Sequence, residues 1–190
     1  MKTKTVLYIF FTLMVVSQLY VPSKMVWQQE SVIHSGTVFK FRTAPVDPVD
    51  VFRGRYVALN YADNQYEMSE KREWRNGETI YVVFKKDDFG YAIIDSISKE
   101  RPANVDDYLK TTVDYFTSEI PQTITVVFPF DRLYMEESKA QNAEEIYRRE
   151  GSKGEKETYG LVSIKEGRAV LLDVFIDNIS IREIAGRTVN

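Results

Sequence analysis

No cysteine occurs in the 190 residues, and histidine occurs once, at His34. The first absence removes disulfides, thiolate nucleophiles, zinc ribbons and cysteine-held iron–sulfur clusters. The second removes any site built from several histidines and any Ser-His-Asp triad with its histidine elsewhere. Basic excess is missing too. The net charge is −3, and the run Lys71, Arg72, Arg75 is interrupted by Glu70 and Glu73. A nucleic-acid partner calls for a basic face, so none is expected. Interleaved Asp, Asn and Gly of the calcium-loop kind are also lacking, Asp87-Asp88 being too sparse. No cofactor or metal is expected.

One long hydrophobic run is present. Lys2 and Lys4 precede an apolar stretch from Val6 to Val21, interrupted by Thr12, Ser17 and Gln18. It extends past Pro22 through Met25, Val26 and Trp27, giving about 20 residues, enough to cross a hydrocarbon layer of ~30 Å. Signal cleavage wants small residues at its end; Gln18, Leu19, Tyr20, Val21 and Pro22 stand there instead. An uncleaved anchor is therefore expected over residues 1–36, including a short polar stalk from Gln28 to Ser35 that stops at Gly36. Tyr20 and Trp27 suit an interfacial belt, and Lys24 can snorkel. The positive-inside rule keeps Lys2, Lys4 and the amino terminus in the cytoplasm and puts residues 37–190 on the other side. The lipid bilayer is the first expected partner. His34, beside the membrane, reads as an ordinary exposed polar residue.

Residues 37–190 are of the size usual for one domain, and 44% hydrophobic with 13% aromatic residues overall supplies a core. The periodicity there is mostly two, the mark of strands. Val38–Arg42 reads as a first strand. Pro45 and Pro48 make the following segment an extended connection. Arg55–Tyr61 reads as one strand with Val57, Leu59 and Tyr61 on its apolar side. Asp63–Asn76 reads as a polar loop closing on the Asn76-Gly77 turn. Thr79–Phe84 and Tyr91–Ile97 form a hairpin; Asp106–Phe116 alternates and pairs with Thr123–Phe128. One amphipathic helix follows, capped by Ser138, with Ala140, Ala143, Ile146 and Tyr147 as its apolar stripe. Tyr159–Ile164, Ala169–Ile176 and Ile179–Ile184, separated by turns at Lys165-Glu166-Gly167 and Asp177-Asn178, complete the domain. The expected fold is mainly β (α+β): a transmembrane helix, then one β-rich domain with one helix.

The stretch Tyr81–Asp95 echoes Tyr159–Asp173: strand, charged turn with glycine, apolar strand ending in Asp. Two readings stand. A duplication would make the domain two related β halves, the second carrying the helix; hairpins also resemble one another by chance.

The segment Ala44–Tyr61, with Asp47, Pro48, Arg53, Gly54, Tyr56, Leu59 and Tyr61, resembles the signature of the GDYXXLXY family of membrane-anchored bacterial proteins. It departs at Arg55, where the family's naming motif has Asp, which argues against a role needing a carboxylate there. Phe128-Pro129-Phe130-Asp131-Arg132-Leu133-Tyr134-Met135 is similar to a second, weaker family signature. The resemblance implies a cytoplasmic-membrane anchor, an extracytoplasmic domain and no established reaction, and it suggests an integral membrane partner. The signature itself has two readings. Structurally, Gly54 opens a strand, Arg53 pairs with Asp47 to brace the proline loop, and Tyr56, Leu59 and Tyr61 pack; functionally, the motif is a partner-binding surface.

An accessory or binding module is the function expected, docking on an integral membrane protein or envelope component. The alternative is a membrane-tethered hydrolase of the serine–lysine kind, for which Ser23-Lys24 and Ser138-Lys139 are the adjacent pairs. Neither pair sits in a convincing nucleophile context, one at the membrane exit and one on a polar helix. Glu136, Glu137, Glu144 and Glu145 read as a solvated helix face rather than paired catalytic carboxylates. No catalytic residue is assigned.

Overall fold

A computed structural model describes residues 2–44, 56–153 and 156–187. The chain opens with α1, Lys2–Ser35, a single 34-residue helix that carries Pro22 inside it. It is long and apolar enough to cross a membrane, and 34 residues at about 1.5 Å each span roughly 50 Å. The polar stretch Gln28–Ser35 continues the same helix. Gly36 ends it, its amide donating to the Val32 carbonyl at 2.9 Å.

Two five-stranded antiparallel sheets follow. The first contains β4 (Gln65–Met68), β5 (Thr79–Lys86), β6 (Ala92–Ser98), β7 (Tyr108–Phe116) and β8 (Gln122–Val126), in the order β4-β8-β7-β5-β6. The second joins β1 (Thr37–Ala44) and β3 (Asn60–Tyr61) to β10 (Thr158–Lys165), β11 (Arg168–Ile176) and β12 (Ile179–Ser180), in the order β12-β11-β10-β1-β3. A two-stranded ribbon pairs β2 (Tyr56–Ala58) with β9 (Arg132–Tyr134). Each echoing hairpin occupies a different sheet. The second sheet draws β1 and β3 from the start of the domain, so the sheets interleave along the chain instead of dividing it at its middle.

The sheets share one core. Period-two alternation on β1 turns Phe39 and Phe41 inward. Phe41 meets Phe84, Phe128 and Phe130 at ring-centroid distances of 5.1, 5.4 and 5.0 Å. Each such ring pair contributes about 0.5–1.5 kcal/mol beyond its buried area. On the outer face Arg42 forks to Asp63 and Asp87 and lies 4.2 Å over the Tyr91 ring, tying the second sheet to the β5–β6 turn. Isolated bridges Lys40↔Tyr91 and Leu109↔Gly167 join the sheets again.

The helix α2, Glu137–Lys153, buries Ala140, Ala143, Ile146 and Tyr147, the stripe expected from its spacing. Ser138 is not its cap. The Glu136 carbonyl receives the Lys139 and Ala140 amides, so the helix begins at Glu137.

Three further expectations are corrected. The strand expected to reach Tyr61 without a break is interrupted at Leu59, whose amide leaves the β ladder for the Asp131 carbonyl at 2.8 Å. The segment read as a polar loop contains β4, recruited by β8, and the buried Trp74. Ile179–Ile184 is a strand only to Ser180. The helix α3, Ile181–Arg187, then puts Ile181, Ile184 and Ala185 at helical spacing against the core, and the Arg182 amide donates to Ser180 Oγ at 3.2 Å.

Candidate functional site

The two motifs singled out in the sequence, some 70 positions apart, fold into one unit. β2 and β9 pair antiparallel with Tyr56 opposite Tyr134, Val57 opposite Leu133 and Ala58 opposite Arg132. Past Ala58 the Leu59 amide is held by Asp131, after which Asn60 and Tyr61 shift across to pair with Ala44 and Thr43. The Tyr61 hydroxyl closes the unit by donating to the Phe130 carbonyl at 2.9 Å.

Tyr61 stands at the centre of this unit. Its ring packs edge-on against Phe41, Phe128 and Phe130. Burial pushes its hydroxyl pKa well above the ordinary tyrosine value. Burial likewise pushes Tyr147 up to about 12. Both phenols therefore stay protonated at neutral pH, and Tyr61 serves as a donor. Close approach explains the small neighbour at Gly160: a Cβ there would lie 3.1 Å from Tyr61 Oη and 3.2 Å from Leu171 Cδ1.

Above this floor lies an open cleft of about 240 Å³, lined by Tyr61 and Phe128 and by the polar side chains Asn60, Asn64, Asp114 and Asp131. Two carboxylates and two amides give it an acceptor-rich rim suited to a ligand that donates hydrogen bonds or carries positive charge. Among the described residues, no group of three or more His, Cys, Asp and Glu side chains gathers where it could hold a metal ion. On the neighbouring ribbon the Tyr56 and Tyr134 rings lie 5.6 Å apart, and the Arg132 guanidinium sits 5.0 Å over Tyr56. Tyr134 is 62% exposed, so the ribbon presents an aromatic and cationic surface beside the acidic cleft.

The signature residues divide between positions. Leu59 and Tyr61 are buried packing residues, and Tyr56 is half-buried on the ribbon. Asp47, Pro48, Arg53, Gly54 and Arg55 lie outside the described residues, and with them the expected Arg53–Asp47 pair and the strand opening at Gly54. Ser23 and Lys24 are exposed on α1. Lys139 pairs with Glu136 at 2.9 Å, and Glu145 is exposed. His34 Nε2 lies 3.1 Å from Glu30 Oε2, one helical turn back, and is exposed. Asn64 and Asp114 carried no signal in the sequence. Asp114 is one outward residue of an alternating strand, and only the pairing of β7 with β8 carries it to the cleft.

A family model described as GDYXXLXY protein matches residues 18–174. No curated protein and no solved structure matches the chain. The matched span begins inside α1 and ends in β11, taking in both motifs and the ribbon they build. The chain belongs to the GDYXXLXY protein family.

Proposed function

We propose that the chain is a single-pass, membrane-anchored accessory module of the bacterial envelope, amino terminus in the cytoplasm and β domain outside. There it docks on an integral membrane protein or another envelope component. The observation that carries this reading is the convergence of the two motifs into one exposed ribbon and cleft, Tyr56, Arg132 and Tyr134 beside Asp114 and Asp131. Exposed aromatic residues with a neighbouring arginine are the usual anchors of a protein interface. Support for the anchor comes from the length of the apolar helix and from Lys2 and Lys4 on its short side.

Site-specific photo-crosslinking in native membranes tests the docking. Probes at Arg132 and Tyr134 should trap one integral membrane protein, whereas a probe at Phe89, on the β5–β6 turn, should not. An equal yield at all three positions would defeat the ribbon as the docking face. A serine-directed covalent probe that labels the wild-type chain stoichiometrically would favour the tethered hydrolase instead. A reporter active only outside the cytoplasm, fused after Asn190, should be functional; an inactive fusion would reverse the topology.

A further inference from the structure

At its carboxyl end α1 does not stand clear of the domain. Val32 is buried, 2% exposed. Its carbonyl accepts a buried hydrogen bond from Ser163 Oγ at 2.6 Å. Against this contact lies a cleft of about 140 Å³, lined by Gln28, Ser31 and Val32 of the helix and by Lys165, Glu166 and Arg168 of the β10–β11 turn.

The charges in this cleft are arranged in one direction. Lys165 and Arg168 stand opposite each other in the antiparallel register, so their side chains leave the same face of the hairpin. That face is the one toward the helix, because Lys165 Nζ donates to Ser35 Oγ at 2.7 Å and to Ser31 Oγ at 3.4 Å. Among the described residues neither Lys165 nor Arg168 has a carboxylate partner. Of the described residues lining the cleft, Glu166 alone is acidic, against two cations. Lys24, four positions before Gln28 and so on the same helix face, is exposed and adds a third cation from below.

Depth decides what such a cleft meets. Trp27 is the last residue of the apolar run. At about 1.5 Å per residue, Gln28 to Val32 rise roughly 1.5–7.5 Å beyond it, and the headgroup layer on each side of a bilayer is about 5–8 Å thick. The cleft therefore opens within the layer where lipid phosphates lie.

We infer that the cleft between α1 and the β10–β11 turn seats the phosphate of an anionic phospholipid headgroup, and this inference rests on the reading of α1 as a membrane-spanning anchor. Arg168 supplies a planar fork for two phosphate oxygens. Lys165 supplies a point charge, and Ser31 and Gln28 supply neutral donors. Against Glu166, the pair Lys165 and Arg168 with Lys24 below leave an excess of positive charge that favours an anionic over a neutral lipid. The ammonium of a zwitterionic lipid would meet the same cations, which sets the preference for the anionic one.

The test uses the full chain in nanodiscs of phosphatidylcholine and phosphatidylglycerol in equal parts, with retained lipids counted by native mass spectrometry. Wild type should keep one phosphatidylglycerol in preference to phosphatidylcholine. The double variant Lys165→Gln/Arg168→Gln should lose that retention about twenty-five-fold, from two charges at about fivefold each. Gln28→Glu, at a half-buried helix position that lines the cleft, places a carboxylate there without altering the hairpin and should lose it similarly. Equal retention of the two lipids by wild type, or full retention by both Gln28→Glu and the double variant, would overturn the inference. So would a photo-crosslinker at Gln28 that traps an acidic protein segment instead of lipid. A chain that stays in vesicles through an alkaline wash but keeps no phosphatidylglycerol sinks the headgroup site alone. Release of the chain by that wash, whatever the lipid, sinks the anchor as well.

Discussion

The hairpins β5–β6 and β10–β11 share a sequence pattern, and each sends its first strand into the core, through Phe84 in one and Val162 and Ile164 in the other. Their turns have opposite fates. The first turn is organised by one residue, Asp87, whose carboxylate accepts the Phe89 and Tyr91 amides and the Arg42 guanidinium. Beyond it the tip is free, with Phe89 81% exposed. The second turn is clamped from two sides. The Gly167 carbonyl accepts the Lys110 amide at 3.0 Å, the Gly167 amide donates to Tyr108, and Lys165 reaches α1. The comparison teaches that a repeated local pattern fixes the strands but leaves the use of the turn to whatever packs against it.

The largest effect should come where the hairpins are alike. Phe84→Ala removes a ring that contacts Phe39, Phe41 and Phe128, and equilibrium denaturation should register a loss of about 3–5 kcal/mol. Phe89→Ala, in the same hairpin, should change stability by less than about 0.5 kcal/mol. A comparable loss from both would mean that the first turn is not free.

The turns themselves separate next. Gly90 and Gly167 have nearly equal positive φ, 84° and 82°, so alanine strains each backbone by about 1–2 kcal/mol. A Cβ at Gly90 meets nothing within 4 Å, whereas at Gly167 it falls 3.0 Å from Lys110 Cβ and 3.1 Å from the Tyr108 ring. Overpacking adds roughly 1–3 kcal/mol there. Gly167→Ala should therefore unfold at distinctly lower denaturant than Gly90→Ala, and equal midpoints would remove the clamp from the second turn.

Ser163→Ala should be milder. It deletes the bond to Val32, but the Val32 carbonyl keeps the Gly36 amide, so the cost should be about 1 kcal/mol. Hydrogen exchange should quicken at residues 32–36 while the β5–β6 strands hold their protection. Uniform quickening across the domain would contradict a local contact.

The smallest effect is a titration. Burial pulls the Asp87 pKa upward, but hydrogen bonds from Arg42, Tyr91 and Phe89 outweigh it and hold the carboxyl below its ordinary range. Because the folded value is depressed, the stabilisation is present above the unfolded value of ~3.9 and is lost as pH falls through the folded one. The Phe89 and Tyr91 amide resonances should move together with a midpoint under ~3.9. A midpoint at or above that value would show that Asp87 does not organise the turn.

Strand alternation made β1, β5 and β8 legible in the sequence, because each buries every second side chain against one core; β7, β10 and β11 were legible as runs rich in apolar and β-branched residues between turn signals. The short elements were not legible. Gln65–Met68 becomes a strand because β8 offers it an edge, and Arg132–Tyr134 because β2 does. Ile179 and Ile181 keep strand spacing, but Ile181, Ile184 and Ala185 follow helix spacing, and α3 packs that stripe beside α2. The candidate site shows the same limit. Tyr61 and Phe128 stood out as motif residues, but Asp114 and Asn64 reach the cleft only through the long-range pairing of strands, which leaves no local trace.

The bond between Ser163 and Val32 bears on mechanics. A domain tethered by a slack linker can spin freely about its anchor and present any side to its surroundings. If α1 spans the bilayer as proposed, the helix inside it is continuous with the one gripped by β10, with no hinge residue between Trp27 and Ser35. The azimuth of the domain is thereby set by the rotation of the anchor among the lipids. A tilt of that helix becomes a proportional swing of the Tyr56–Tyr134 ribbon across the membrane plane.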